Sequence, residues 1–310
     1  MTTAKLTAHG DSLESLATTT AIIGPGAIGT TVAAALHEAG RTPSLYGRTP
    51  RAHLELHVDD GTIRVPGPVR VDPSADLPQA DIVFLAVKAT QTEQAAPWLR
   101  AVCRPGSVVC ILQNGVEQIG AVAPFLPEGV EAVPAVVWFP AQAQPDGSVR
   151  LRAEPRLTLP DSAGSARIAD VLDGSRCAVE LAPDFTALAW RKLLQNAVAG
   201  LMALTGRRSG MFARPDIAAL TMAYLDECLA VARSEGADLD DGVPREILAK
   251  FQAFPADMST SILTDREAGR PLEWDVRNGV ISRLGRAHGI PTPVSDVVVP
   301  LLAATSDGPG

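Results

Sequence analysis

Three glycines in the run Gly24-Pro25-Gly26-Ala27-Ile28-Gly29 fall at the spacing G-x-G-x-x-G, which suits a main-chain cradle for a pyrophosphate. The first glycine permits a tight turn, the second lets the backbone approach the phosphates, and the third allows a helix to pack closely on a strand. The N–H groups that open the helix, around Ala27 and Ile28, then face the anion with a positive dipole end. An ordinary glycine-rich turn is the plain alternative, and the motif gains its meaning only between a strand and a helix. About 20 residues further on, a carboxylate usually holds the 2′-hydroxyl of an NAD ribose. This chain has Tyr46-Gly47-Arg48 there, and an arginine suits a 2′-phosphate through charge-assisted hydrogen bonds. NADP(H) is therefore the expected cofactor, with a solvated loop arginine as the bland reading of Arg48.

Other candidates stand at the ends of apolar runs. Lys88 follows Val87, and Gln91 comes three residues later. Ligands of open parallel sheets sit beyond the carboxyl ends of the strands, which puts Lys88 beside a cofactor. Leu112-Gln113-Asn114-Gly115 brings an amide to the same rim, although Asn-Gly is also a common turn. Lys192 and Asn196 form an i, i+4 pair opposite an apolar stripe of Trp190, Leu194, Ala197, Leu201 and Leu204. Periodicity alone reads that face as solvent-exposed. Beside a carbonyl substrate, however, a lysine is a proton donor or an oxyanion partner. Glu273 follows Pro271 and is expected in the first turn of a helix, where the dipole favours a carboxylate. Ser259-Thr260-Ser261 is a hydroxyl cluster suited to capping a helix or binding a substrate carboxylate.

The elements that must position these groups divide the chain in two. Strands are expected at 20–23, 43–46, 81–87, 107–112 and 133–139, with a hairpin over 54–71 and a helix from the glycine turn to Glu38. The run Asp81-Ile82-Val83-Phe84-Leu85-Ala86-Val87 is apolar enough for a strand buried on both faces. Segments 148–152 and 156–159 read as antiparallel strands closing this domain, and 177–181 as its last strand. Helical patterns follow at 184–205, 215–235, 245–254, 271–288 and 294–304. The expected fold is α/β: a tail over 1–19, a Rossmann-type NADP-binding domain over 20–183, and an all-α substrate domain over 184–310.

Composition narrows the function. The 310 residues carry a net charge of −8 without a long basic run, and aromatics are 4%, which argues against a nucleic-acid partner. Cys103, Cys110, Cys177 and Cys228 and the five histidines lack metal-ligand spacing, so no metal is expected. No apolar run reaches bilayer length, and Met1–Thr19 lacks the apolar core of a secretory signal. Free thiols fit a reducing compartment, and a cytoplasmic protein is expected. Only four lysines occur, Lys5, Lys88, Lys192 and Lys250.

From about residue 20 to 304 the chain resembles the 2-dehydropantoate 2-reductases (ketopantoate reductases). The resemblance is carried by GPGAIG at 24–29, VKATQ at 87–91, LQNG at 112–115, WRKLLQNAVAGLMALTG at 190–206 and TSILTDREAGRPLEWDVRNG at 260–279. It implies an all-α domain like the C-terminal domain of 6-phosphogluconate dehydrogenase. It implies NADPH-dependent reduction of a 2-oxo acid, 2-dehydropantoate to pantoate, in pantothenate biosynthesis. By the same resemblance Lys192 is the general acid, Glu273 positions substrate and lysine, and Asn196 and Ser261 bind substrate. Asn114 lies between nicotinamide and substrate, while Arg48, Lys88 and Gln91 touch the cofactor. Two positions depart from the family pattern: Gly200 and Met258 stand where asparagines are common. Lost amides weaken recognition of hydroxylated substrates, so a ketone, imine or 2-oxo acid reductase with a less polar substrate is the alternative. A dinucleotide-sensing regulator is a further alternative, disfavoured by Lys192, Asn196 and Glu273. A homodimer is compatible with the apolar helical half.

Overall fold

The computed structural model describes residues 18–73 and 76–307. Most of the expected N-terminal tail lies outside these. Thr19, at its end, is held by Asp81, whose Oδ2 accepts from the Thr19 N–H at 2.9 Å and from its hydroxyl at 2.8 Å.

The N-terminal half is a six-stranded parallel sheet wrapped by helices. Its elements are β1 (Thr20–Ile23), α1 (Ala27–Glu38), β2 (Ser44–Tyr46), β3 (His53–Val58), β4 (Gly61–Pro66), β5 (Val69–Arg70), β6 (Ile82–Leu85), α2 (Thr92–Val102), β7 (Val108–Ile111), α3 (Gln118–Val122) and β8 (Glu131–Pro134). Strand order is β5-β2-β1-β6-β7-β8. Every residue of β1, β6 and β7 is buried, as continuous apolar runs in a doubly covered sheet must be. The chain continues through β9 (Val136–Val137), β10 (Ala141–Ala143), β11 (Val149–Leu151), β12 (Arg156–Pro160), α4 (Ala163–Leu172) and β13 (Ala178–Ala182).

Two expectations are corrected here. The single strand expected over 133–139 is two, since β8 ends the large sheet and β9 joins β12 and β13 in a separate one. The strands expected at 148–152 and 156–159 do not pair with each other. Strand β11 pairs with β10 and, in parallel, with β3, while β12 runs parallel to β13. The reason for the second pairing is α4, because a helical crossover returns the chain parallel. Val149 and Leu151 instead turn their alternate side chains into the core beneath α1.

The C-terminal half is helical: α5 (Phe185–Thr205), α6 (Pro215–Ser234), α7 (Val243–Ala253), α8 (Ser261–Glu267), a π-helical turn at Asp275–Gly279, α9 (Val280–His288) and α10 (Pro293–Asp307). Asp184 caps α5, its carboxylate accepting from the Ala187 N–H at 3.0 Å, and Gly206 ends the helix in the left-handed conformation. Helix α5 is buried along nearly its whole length and contacts β9 and β12 as well as α6, α8 and α10. It therefore joins the two halves. Among the described residues no helix is long and apolar enough to cross a membrane.

Gly200 has a packing reason. A Cβ there would lie 2.5 Å from Nδ2 of Asn278. That fully buried carboxamide is fixed by donating to the Ala197 carbonyl at 3.0 Å and the Tyr224 hydroxyl at 2.9 Å. Gly200→Ala is accordingly expected to lose about 1–3 kcal/mol by overpacking, measured by chemical denaturation. An unchanged midpoint would show that Asn278 has room to yield.

Candidate active site

The glycine-rich turn leaves β1 at the carboxyl edge of the sheet. Gly24 has φ +88°, and a Cβ on it would sit 2.6 Å from Val87 Cγ1, so only glycine lets the turn pass β6's end. A Cβ on Gly26 would meet nothing within 4 Å, so space opens beside the start of α1. No side chain caps that helix, and its first N–H groups at Ala27, Ile28 and Gly29 are suited to phosphate oxygens. Arg48 lies exposed after β2 and donates to Gln94 Oε1 at 3.3 Å. Across the edge, Gln91 Oε1 accepts from the Lys88 N–H at 3.4 Å. These features fit a dinucleotide.

The expected substrate residues converge from both halves. Asn114, just beyond β7, accepts from Asn196 Nδ2 at 3.3 Å and donates to Glu273 Oε2 at 3.2 Å. Glu273 also receives the Ala89 N–H at 3.0 Å and an Arg277 guanidinium N–H at 3.0 Å. The same Arg277 nitrogen donates to Ser261 Oγ at 3.2 Å. Asn114, Asn196, Glu273 and Ser261 are thus one hydrogen-bonded chain, completed by Arg277. Burial by itself would raise the Glu273 pKa, but the Arg277 charge, the Ala89 N–H and Lys88 hold it below its ordinary value. It is a carboxylate at neutral pH.

Lys192 stands apart from that chain. Its ammonium lies 4.9 Å from the centroid of the Trp138 ring, a cation–π contact. The indole is fixed in turn by donating from Nε1 to Thr158 Oγ1 at 2.8 Å. Burial, then the charges of Arg277 and Lys250, lower the lysine pKa from 10.5 to about 8. A lysine so poised gives up its proton readily near neutral pH.

Several sequence expectations change. The Lys192–Asn196 face is not solvent-exposed; Asn196 is 8% exposed and Lys192 half-buried, because α5 turns this face toward the sheet domain. Glu273 is not inside a helix's first turn. The helix begins at Trp274 with a π turn, so the carboxylate is met by Ala89 and Asn114 of the other half. Thr260 precedes α8 but its hydroxyl caps nothing. Lys88, just beyond β6, also pairs with Asp265 on α8, which Arg270 contacts at 2.9 Å. Met258 is 38% exposed on the loop before α8. Sequence reasoning passed over Asp265, Arg277 and Trp138. The i, i+4 spacings Ser261–Asp265 and Glu273–Arg277 were the available signals for the first two.

A glycine-rich cradle at the carboxyl edge of a parallel, helix-wrapped sheet is equipment for holding a dinucleotide, and with the relatives below it makes the protein an NAD(P)-dependent oxidoreductase. The family model "Ketopantoate reductase PanE/ApbA" matches residues 20–164, and its C-terminal counterpart matches 184–306. The 2-dehydropantoate 2-reductase of Mycobacterium tuberculosis is 55% identical over 296 residues, covering 95% of this chain and 100% of its own. That of Caulobacter vibrioides is 35% identical over 292 residues, with 93% and 99% covered. A solved structure of dimeric ketopantoate reductase from Staphylococcus aureus superposes with a TM-score of 0.85 at 25% identity, covering 94% of this chain and 100% of that one. The chain belongs to the ketopantoate reductase family.

Proposed function

We propose that the protein reduces 2-dehydropantoate to pantoate with NADPH, holding the cofactor on residues 20–183 and the substrate against 184–310. The observation that carries this reading is Asn114, whose amide joins the cofactor rim to Asn196 and Glu273 of the helical half. When bound, the nicotinamide supplies the hydride to the carbonyl carbon. Lys192 gives its proton to the carbonyl oxygen as the alkoxide forms, leaving an alcohol and a neutral amine that water recharges. Asn196 and Asn114 hold the substrate between lysine and cofactor, Glu273 fixes Asn114, and Ser261 offers its hydroxyl to the carboxylate. Loss of NADPH absorbance with 2-dehydropantoate, accompanied by pantoate, is the expected result. NADPH binding without turnover would point to the sensing role instead.

Gly24, Gly26, Ala27, Ile28 and Gly29 supply the phosphate cradle, with Lys88 and Gln91 at its far edge. Arg48 is proposed to select the 2′-phosphate, because it is exposed beyond β2 with no carboxylate paired to it among the described residues. Arg48→Ala should raise the Kd for NADPH roughly ten- to a hundredfold. Fluorescence titration should find NADH little changed. Equal losses for both cofactors would remove Arg48 from that role.

A homodimer is supported by the exposed apolar side chains Val297 and Leu301 on α10, and by the dimeric relative. Sedimentation as a monomer would refute it. The four free, buried cysteines support a cytoplasmic location, testable by fractionation.

A further inference from the structure

We infer that the Arg277 guanidinium, together with the Ser261 hydroxyl, is the carboxylate-binding subsite and selects charged 2-oxo acids over neutral carbonyl compounds; this rests on the 2-oxo acid reading above. Arg277 lies in the π-helical turn and is 3% exposed. A guanidinium stays charged and carries five donors in a planar fork. One nitrogen donates to both Glu273 and Ser261, yet Nε, fully buried, has no hydrogen-bond partner. Glu273 and Ser261 together occupy that one nitrogen, so Nε remains a donor without a partner among the described residues. Beside it the buried Thr260 hydroxyl is also without a partner. Buried donors left unused are expensive, and they are rational where a ligand completes them. A carboxylate oxygen accepts from such a donor through a charge-assisted hydrogen bond.

The position agrees with the chemistry. In a 2-oxo acid the carboxylate is bonded directly to the reacting carbonyl carbon, so its ligand must lie beside the proton donor. Arg277 is one hydrogen bond from Ser261 and from Glu273, and through Glu273 it reaches Asn114 and Asn196. Its charge also acts on Lys192, with Lys250, against protonation. A bound carboxylate neutralises that charge and keeps the Lys192 proton in place until hydride arrives. Binding and acid strength are thereby coupled through one side chain.

The test compares Arg277→Lys and Arg277→Met with wild type on 2-dehydropantoate and on its uncharged amide, together with calorimetric binding of pantoate. Both variants should lose on the order of a hundredfold in kcat/KM on the acid, through KM. The amide, which offers no charge to the guanidinium, should lose far less than the acid, and pantoate binding should weaken in parallel with the acid. A loss shared equally by acid and amide would mean that Arg277 only braces Glu273, and would overturn the inference. An unchanged acid preference would do the same. If Arg277→Met does not fold, Arg277→Lys keeps the buried charge and decides alone. A wild-type enzyme inert on both compounds would remove the 2-oxo acid reading itself, and the subsite with it.

Discussion

Lys192→Ala lowers kcat by at least about a hundredfold, the ordinary contribution of a general acid, while NADPH still binds. The lysine's cation–π partner is the indole of Trp138, and the phosphate cradle is built from residues 24–29 instead, so cofactor affinity should not follow it. Retained turnover would take Lys192 out of the mechanism. A second consequence concerns stability and runs opposite to activity. The folded protein holds Lys192 at about 8 instead of 10.5, so folding disfavours its proton. Below pH 8 both folded and unfolded chains are protonated, and the full penalty of a charged, desolvated lysine is present. Between the two values only the unfolded chain keeps the proton, and stability rises with pH until the penalty is gone. Lys192→Met should therefore raise Tm at pH 7, and the gain should fade toward pH 10. A variant that is less stable than wild type at pH 7 would show that the Trp138 contact outweighs the desolvation.

Glu273→Ala is the second large effect, expected to reduce stability by about 3–5 kcal/mol as well as activity. Both partners of the Glu273–Arg277 pair are almost wholly buried, with side chains 6% and 3% exposed. Deleting the carboxylate strands the guanidinium and leaves the Ala89 N–H and the Asn114 amide without their acceptor. Removing both partners is a milder change than removing one, so Glu273→Ala/Arg277→Met should regain much of the stability in urea denaturation. A Glu273→Ala loss under about 1 kcal/mol, or a double variant no better than the single, would contradict the buried-pair account. Acid should reveal the same pair. The Glu273 pKa is below its ordinary 4.5, so its stabilisation is complete above that value and disappears as pH falls through the folded one.

The nucleotide half was readable because its signals are local. A buried apolar strand, three glycines at fixed spacing and a helix follow one another within 20–38. The rim residues Lys88 and Asn114 followed from strand ends. Lys192 was not readable from periodicity, since α5 is buried nearly all round and an apolar stripe then marks no exposed side. The resemblance, not the spacing, drew attention to it. Pairings made over long separations were also hidden: β11 with β3, Lys88 with Asp265, and the nearness of Asn278 to Gly200. Gly200 looked like a lost substrate contact, yet it accommodates a buried amide. Arg277 carries no sequence signal beyond its i, i+4 spacing from Glu273, and only its burial and unused donor give it meaning.

The central claim is proton donation from Lys192 to a substrate carbonyl, and the pH dependence of kcat/KM for 2-dehydropantoate at saturating NADPH tests it most directly. The profile should be level at low pH and fall as the lysine loses its proton near pH 8, with that limb absent from the residual rate of Lys192→Ala. A wild-type profile level to about pH 10, or the same limb in the variant, would contradict it.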